Sequence, residues 1–319
     1  MQYRYASAGL LPAEHSFNAN SKGMLMNRFI LASAAALALV ACSKEAAPPA
    51  AAPEASVAAA ESSLDAVLAA QPDDVKARYA QRHPKETLEF FGVEPGMTVV
   101  DTLPGEVWYA GLLMDYLGPN GKVIGADYSQ EMWKLFGDYS PDPQVKAKWA
   151  EEFVAKMEAK RGEDDAQVAA VHYGAIPDEL AGTADVVLVI RAIHHFMRLE
   201  DQGGWLTQAL EDMKKLLKPG GIVGVVAHRA PEQSSDEWAK GNAGYVKQSA
   251  VIAAFEKAGF ELVESSEINA NPKDQPTEND FVWRLPPTFA TSQNNPELKA
   301  QMEAIGESDR MTLKFRKKA

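Results

Sequence analysis

Two carboxylates stand at the ends of predicted strands, where a bound ligand is within reach. Asp101 lies in the β-branched run from Thr98 to Leu103, and a Leu-Pro-Gly loop ending at Gly105 leads from this run into a helical pattern. Asp127 ends the next apolar run, 22 residues after Gly105. An acid about 20 residues after a glycine loop is placed to accept hydrogen bonds from both hydroxyls of a ribose. The spacing therefore favours a nucleoside site, and the alternative is that Asp127 caps the helix that begins at Ser129.

The glycine content of this loop distinguishes between nucleoside cofactors. Gly105 allows the backbone to approach a ligand, and the amides at the start of the next helix face the ligand's carboxylate. A dinucleotide needs three closely spaced glycines because its pyrophosphate presses against the backbone, yet Glu106 and Val107 follow Gly105 here. S-adenosylmethionine has no phosphate and carries a sulfonium cation. The loop therefore favours S-adenosylmethionine over NAD.

A second group of polar residues follows the most apolar of the predicted strands. Arg191, His194 and His195 come directly after it, and such residues can orient an acceptor through charge-assisted hydrogen bonds and remove its proton. S-adenosylmethionine would give up its methyl group to the acceptor by an in-line displacement. Positioning of the two reactants then supplies most of the acceleration. The alternative is that one histidine caps the following helix and that Arg191 pairs with a surface acid. No His-x-x-x-His or carboxylate spacing supports a metal site.

These residues need a sheet that brings the strand ends together. Short β-branched runs alternate with helical patterns from Met97 onward, which predicts a doubly wound, Rossmann-like α/β domain with a mostly parallel sheet and helices on both faces. The predicted strands are 98–103, 122–126, 168–172, 185–190, 222–227, 260–264 and 311–315. Helices are predicted at 107–117, 141–161, 203–217 and 247–258, with an N-terminal helical cap at 62–70, after Pro72 and at 84–91. The long stretch before the last strand predicts an excursion over the site or a flap.

The N-terminal residues have the pattern of an export signal. Arg28 precedes an apolar run, Phe29 to Val40, which is too short to span a bilayer but matches a signal-peptide core. The run ends at Cys42, the single cysteine of the chain, in a sequence that resembles the lipobox of bacterial lipoproteins. Residues 1–42 are therefore predicted to be a signal peptide, with the true start at Met24 or Met26, so that as much as 1–25 lies upstream of it. A plain secretory signal, or an apolar helix with a chance cysteine, is the alternative.

The lipobox implies a location for the protein. Lipid on Cys42 would anchor it to a membrane, and Ser43, which follows where inner-membrane lipoproteins have Asp, implies the outer membrane facing the periplasm. Residues 43–61 are rich in Ala and Pro and predict a disordered tether, which leaves residues 62–319 for one domain. The chain has 44 acidic and 32 basic residues and a net charge of -12. This balance disfavours nucleic acid as a partner, because Lys and Arg supply most of that affinity.

The motifs resemble those of one enzyme superfamily. The run Gly96 to Tyr109 and the run Gly118 to Ser129 resemble the first two motifs of class I S-adenosylmethionine-dependent methyltransferases. More narrowly, residues 73–318 are similar to a bacterial branch of predicted methyltransferases. The motifs that carry this similarity are Arg82-His83-Pro84, Glu86-Thr-Leu-Glu-Phe-Phe91, Pro104-Gly-Glu-Val-Trp-Tyr109, Ile190-Arg-Ala-Ile-His-His195 and Met311-Thr-Leu-Lys-Phe-Arg-Lys317. The chain departs from that pattern at four positions. Glu106 and Val107 replace two loop glycines, and after the fourth strand Ala192 replaces an Asn and His195 replaces an Asp.

The resemblance implies a seven-stranded domain that uses S-adenosylmethionine to methylate a small-molecule acceptor. Asp127 would bind the ribose, Asp101 and Gly105 would shape the methionine pocket, and Arg191 with His194 would face the acceptor. Three aromatic residues complete the implied cofactor site: Trp108, Tyr128 and Tyr173. Trp108 and Tyr173 also fit a purely structural role, in the core and in a short loop. The departures from the motif leave a second hypothesis, a non-catalytic envelope lipoprotein that binds a ligand or partner in the same cleft.

Overall fold

A computed structural model describes residues 63–318, and its centre is a sheet buried on both faces. The sheet order is β3-β2-β1-β4-β5-β8-β7, and a short β6 pairs with β5 outside this path. Strands β1 to β5 run parallel, whereas β8 is antiparallel to β5 and β7. The strands are β1 (Thr98–Thr102), β2 (Lys122–Asp127), β3 (Gln167–His172), β4 (Ala184–Ile190), β5 (Leu217–Ala230), β6 (Val246–Lys247), β7 (Phe260–Ser266) and β8 (Arg310–Lys317). The predicted doubly wound, Rossmann-like sheet of seven strands is confirmed, with β6 as a two-residue addition.

Helices cover both faces, as predicted, and an N-terminal group of four precedes β1. Pro84 occupies the first turn of α4, and Gly92 ends this helix in the left-handed conformation, with φ 74°. Both are residues suited to these positions. The helices are α1 (Leu64–Ala70), α2 (Asp73–Lys76), α3 (Tyr79–Arg82), α4 (Pro84–Phe91), α5 (Trp108–Leu117), α6 (Gln130–Trp133), α7 (Pro143–Glu158), α8 (Ile193–Leu199), α9 (Trp205–Leu216), α10 (Gln248–Lys257) and α11 (Pro296–Ile305).

Neighbouring residues of each central strand face two different apolar layers. Val99 belongs to the layer formed with Leu88 of α4 and Leu112 of α5. Val100 belongs to the layer formed with Phe196 of α8 and Phe255 of α10. Successive side chains of a strand point to opposite faces of a sheet, so an uninterrupted apolar run is needed where helices cover both faces.

Two regions differ from the sequence-based expectation. The strand predicted at 222–227 begins earlier, at Leu217 of β5, because Leu217 already pairs with Ala184 and the register then shifts before Val186. Gly220, with φ 74°, provides the backbone conformation that this irregularity needs. The long stretch before β8 contains α11 and packs Val282 and Trp283 beside Gly244 near the end of β5. It is the predicted excursion, tied down by its own hydrogen bonds.

The strand order locates the crevice. From β1 the sheet continues through β2 to β3 on one side and through β4 to β5 on the other. Doubly wound sheets bind ligands at the carboxyl edge where the strand order reverses, which here is between β1 and β4. Asp101 in β1 and Arg191 directly after β4 flank this point.

The predicted signal peptide, the tether and Cys42 lie outside the described residues. Within residues 63–318, no helix combines the length and apolar character needed to cross a bilayer.

Candidate active site

The loop after β1 keeps a glycine-like backbone although it contains few glycines. Leu103, Gly105 and Val107 have φ values of 55°, 52° and 62°. A left-handed conformation costs an L-residue roughly 1–2 kcal/mol, and a β-branched residue adopts it rarely. Val107 is nevertheless buried and directly precedes α5. Val107 therefore holds the conformation that a glycine of the related motif would adopt.

Glu106, the acidic departure in this loop, is exposed to solvent and contacts α7. Its side chain is 97% exposed, and its carboxylate pairs with Lys156 Nζ at 3.2 Å. Its charge is therefore screened by solvent.

Asp101 is a buried acid with unused hydrogen-bonding capacity. Its side chain is 3% exposed, and among the described residues Oδ2 has no hydrogen-bond partner. Burial raises the pKa of Asp101 to about 7, against the opposing effects of the Ala110 backbone N–H and the Arg191 charge. A buried acceptor without a partner is costly. A ligand that donates a hydrogen bond or carries positive charge would satisfy it.

Asp127 ends β2 and is already occupied within the protein. Its Oδ1 accepts hydrogen bonds from the Tyr128 backbone N–H at 2.8 Å and Trp133 Nε1 at 3.2 Å. Its Oδ2 pairs with Lys146 Nζ at 2.7 Å. The alternative in which Asp127 caps the next helix is wrong, because the Ser129 side chain accepts the capping hydrogen bond from the Met132 backbone N–H.

Lys146 of α7 and Trp133 form a cover over Asp127. Lys146 Nζ lies 4.0 Å from the centroid of a Trp133 ring, which is a cation–π distance. A surface cavity of about 440 Å³ adjoins this pair and is lined by both side chains and by residues 140–143. This volume falls in the range of small-molecule pockets. A ribose that bound Asp127 would have to displace the ammonium of Lys146.

The three aromatic residues of the predicted cofactor site contact neighbouring protein elements. Tyr128 is fully buried, and its hydroxyl lies 2.9 Å from His195 Nδ1. The hydroxyl of Tyr173, also buried, lies 2.6 Å from Thr102 Oγ1. Trp108 donates from Nε1 to the Val75 carbonyl at 3.3 Å and so contacts the N-terminal helices. Their side chains position the strand-end loops.

His194 lies in a group of buried rings near the end of β5. The His194 ring centroid is 4.0 Å from that of His195, 5.5 Å from that of His228 and 5.9 Å from that of Trp283. Neither ring nitrogen of His194 has a hydrogen-bond partner among the described residues. Burial, and then the neighbouring histidines and arginines, lower the pKa of His194 well below its ordinary value. His194 is therefore neutral at pH 7 and has a free lone pair for a proton.

Arg191 is a cation that makes no close ion pair with the described residues. It follows β4 in the left-handed conformation, with φ 58°, and its backbone N–H donates to the Val226 carbonyl of β5 at 2.7 Å. Within residues 63–318, no group accepts a hydrogen bond from its guanidinium or forms an ion pair with it. The predicted alternative, in which Arg191 pairs with a surface acid, is therefore not observed.

Sequence reasoning missed two parts of the site. One is Lys146, which forms an ion pair with Asp127. The other is an arginine cluster around Glu307, in which Arg82 Nε and Arg310 Nη1 lie 3.1 and 2.8 Å from the carboxylate and Arg78 Nη1 lies 3.6 Å away. Arg82 belongs to the Arg-His-Pro motif, which was the available signal. In the described part of the chain, no three His, Cys, Asp or Glu residues are arranged to hold a metal ion.

No family model and no curated protein matches the sequence. Among solved structures, a SAM-dependent methyltransferase from Aquifex aeolicus is 21% identical, with a TM-score of 0.42 over 62% of this chain and 93% of that one. Geranyl diphosphate C-methyltransferase from Streptomyces coelicolor, solved with S-adenosyl-L-homocysteine, is 14% identical, with a TM-score of 0.47 over 77% of this chain and 84% of that one. An arsenic(III) S-adenosylmethionine methyltransferase from Chlamydomonas reinhardtii is 16% identical, with a TM-score of 0.41 over 80% and 73%. Their activities are not transferred to this chain by likeness at this level.

Proposed function

We propose that the protein is an S-adenosylmethionine-dependent methyltransferase that acts on a small-molecule acceptor. The observation that carries the proposal is the pair of buried acids, Asp101 and Asp127, at the carboxyl edge of the adjacent parallel strands β1 and β2. They lie beside the point where the strand order reverses, which is the ligand-binding edge of such sheets. The strand topology and the motif resemblance support the same cofactor.

The side chains present fit the two ends of this cofactor. The unpartnered Oδ2 of Asp101 would accept a hydrogen bond from the amino group of the methionine moiety. Asp127 would accept hydrogen bonds from the ribose hydroxyls once Lys146 has moved aside. The cofactor supplies a methyl group on a sulfonium, which is the electrophile. Gly105 and the left-handed residues around it leave the backbone of the loop close to the crevice.

Arg191 and His194 would act on the acceptor. The free guanidinium of Arg191 would orient it by a charge-assisted hydrogen bond. A ring nitrogen of His194, which has no hydrogen-bond partner among the described residues, would take the acceptor proton, although burial lowers the pKa of His194 and makes it a weak base. Because methyl transfer is limited mainly by alignment of the two reactants, we expect positioning by Arg191 to contribute more than proton removal.

Calorimetric titration with S-adenosylmethionine and S-adenosylhomocysteine tests the proposal. We expect the wild-type protein to bind both, and Asp127→Asn to weaken binding about 10-fold or more through loss of charged hydrogen bonds. Asp178→Asn is the matched control, because the Asp178 side chain is 98% exposed and pairs only at the surface with Lys215. Absence of binding at millimolar ligand, or equal binding by Asp127→Asn and the control, contradicts the proposal.

We also propose that the protein is a lipoprotein anchored through Cys42 to the outer membrane, facing the periplasm. The support is the apolar run, the lipobox-like ending at the single cysteine, and Ser43 after it. Metabolic labelling with an alkyne fatty acid should mark the wild-type chain and leave Cys42→Ser unlabelled. Labelling of Cys42→Ser, or an unlabelled wild-type chain, would overturn this assignment.

A further inference from the structure

In the described part of the chain, the cluster around Glu307 brings three guanidinium groups to one carboxylate. Arg82 and Arg310 are 5% and 3% exposed, and Glu307 is 5% exposed. Arg78 approaches the same carboxylate from a more exposed position. Three guanidinium groups therefore share one carboxylate before Arg191 is considered.

Strand register places Arg191 beside this cluster. Its backbone bonds to Val226 of β5, and two residues further along β5 His228 is paired with Arg310 of β8. Burial lowers the pKa of His228 most, and Arg191, Arg310 and Arg82 lower it further, so all three cations lie near this ring. Burial, and after it the charge of Arg191, likewise lowers the pKa of Arg82. The four arginines thus repel one another at the carboxyl edge of β4 and β5.

Hydrogen-bonding capacity is also left unused here. Nε of Arg310 is buried without a partner among the described residues, although its other nitrogens bond to Glu307 and to the Gln81 carbonyl. The guanidinium of Arg191 makes no hydrogen bond and no close ion pair in that part of the chain, and Glu307, which the other arginines already share, is the acid that attracts it. Buried charge and unpaired donors are both costly, and a guanidinium presents two parallel donors that match the oxygens of a carboxylate or phosphate.

We propose that this arginine cluster is a binding site for an oxyanion, the carboxylate or phosphate group of the methyl acceptor, and that Arg191 is its main ligand. Only the identification of the bound molecule as the acceptor rests on the proposed function. Glu307 holds Arg82 and Arg310 in place by ion pairs. Arg191 would bind the anion directly, and the positive charges of Arg82 and Arg310 would add to the attraction. The proposal narrows the acceptor to acidic small molecules.

Thermal unfolding of the full protein, at constant ionic strength, tests the site without any cofactor. The probes are inorganic phosphate and sodium acetate, with sodium chloride as the reference salt. We expect phosphate or acetate to raise the Tm by about 5 °C or more at roughly 100 times its Kd. The probe with the larger shift identifies the oxyanion class. No shift with either probe overturns the proposal.

Variants separate a specific site from general charge. Arg191→Gln should weaken anion binding about 10-fold or more, and Arg191→Lys should restore part of it, since a lysine keeps the charge without the fork. Arg316→Gln is the matched control, because Arg316 is an exposed arginine of β8 outside the cluster. Equal loss of the anion effect in Arg191→Gln and Arg316→Gln overturns the proposal.

Calorimetry with S-adenosylhomocysteine distinguishes this inference from the proposed function. We expect Arg191→Gln to bind it as the wild type does. Weakened binding in Arg191→Gln would assign the arginines to the cofactor's own carboxylate and overturn the acceptor site. Failure of the wild type to bind S-adenosylhomocysteine, with the phosphate or acetate shift intact, would remove the methyltransferase proposal and leave the anion site standing.

Discussion

Replacement of Lys146 by methionine should strengthen cofactor binding. Lys146 Nζ lies 2.7 Å from Asp127 Oδ2, and the two side chains are 16% and 1% exposed. This pair must separate before a ribose can bond to Asp127. Methionine keeps much of the length of the lysine stem against Trp133 and removes the competing charge, so a bound ribose would no longer have to break an ion pair.

The size of the effect follows from the burial of the pair. A hydrogen bond between charged groups contributes about 1.5–3 kcal/mol net, and about 1.4 kcal/mol corresponds to a tenfold change in Kd. Lys146→Met should therefore lower the Kd for S-adenosylhomocysteine by about 10-fold or more. The same variant should lower the free energy of unfolding by about 1–3 kcal/mol, because Asp127 loses a partner.

Calorimetric titration and urea denaturation measure the two effects. Lys148→Met is the matched control, since Lys148 lies on α7 as well but is exposed. It should leave both the Kd and the stability unchanged. An unchanged or raised Kd in Lys146→Met would refute the reasoning, and would mean that Lys146 contributes to ligand binding instead of competing with it.

Three further predictions concern buried charges. Burial raises the pKa of Asp101 from 3.8 to about 7, so the folded state keeps a proton that the unfolded state has lost, and stability falls as pH rises from about 4 to 7. In urea denaturation, the free energy of unfolding of Asp101→Asn should rise relative to that of the wild type by a few kcal/mol between pH 5 and pH 8. The same difference at both pH values would contradict this. Burial lowers the pKa of His194, so stability is lost as pH falls below 6.5. His194→Phe should therefore reduce the slope of the free energy of unfolding against pH, between pH 5 and 6, by about 1.4 kcal/mol per pH unit, which corresponds to one proton. An unchanged slope would mean that His194 is protonated in the folded protein. Glu307→Gln leaves buried arginines unpaired and should lower the free energy of unfolding by about 3–5 kcal/mol. The control Glu303→Gln, at an exposed position of α11, should leave it almost unchanged. Equal decreases in Tm for the two variants would refute the role of Glu307.

The strands and their end residues could be predicted because their causes are local. Apolar β-branched runs bounded by glycine and proline turns determine β1 to β4 to within a residue or so at each end. Asp101 and Asp127 follow from the same pattern, since the end of each strand determines where they lie. The start of β5 could not be predicted, because the pairing of Leu217 with Ala184 depends on a neighbouring strand that is distant in sequence.

The charged contacts of the site could not be predicted because they join distant segments. Arg82 and Glu307 are 225 residues apart in sequence, and Lys146 reaches Asp127 from a helix whose charged pattern is also that of an ordinary solvated surface. The exposure of the Glu106 side chain could not be predicted either. Its residue type indicates only a negative charge in the loop, whereas the pairing with Lys156 of α7 is a property of the folded chain.

The contact between Arg82 and Glu307 has a consequence for how the chain matures during synthesis. It joins a helix that precedes the whole sheet to a segment that is synthesised after β1 to β7, together with Arg310 of β8. Strands β1 to β5 can assemble earlier, since each pairs with a neighbour already made, and domains often begin to fold before the chain is finished. The nascent domain would then hold a nearly complete sheet with Arg82 still unneutralised. Completion of the last strand therefore neutralises Arg82 and finishes the crevice in a single step, and a chain that ends before Glu307 lacks both.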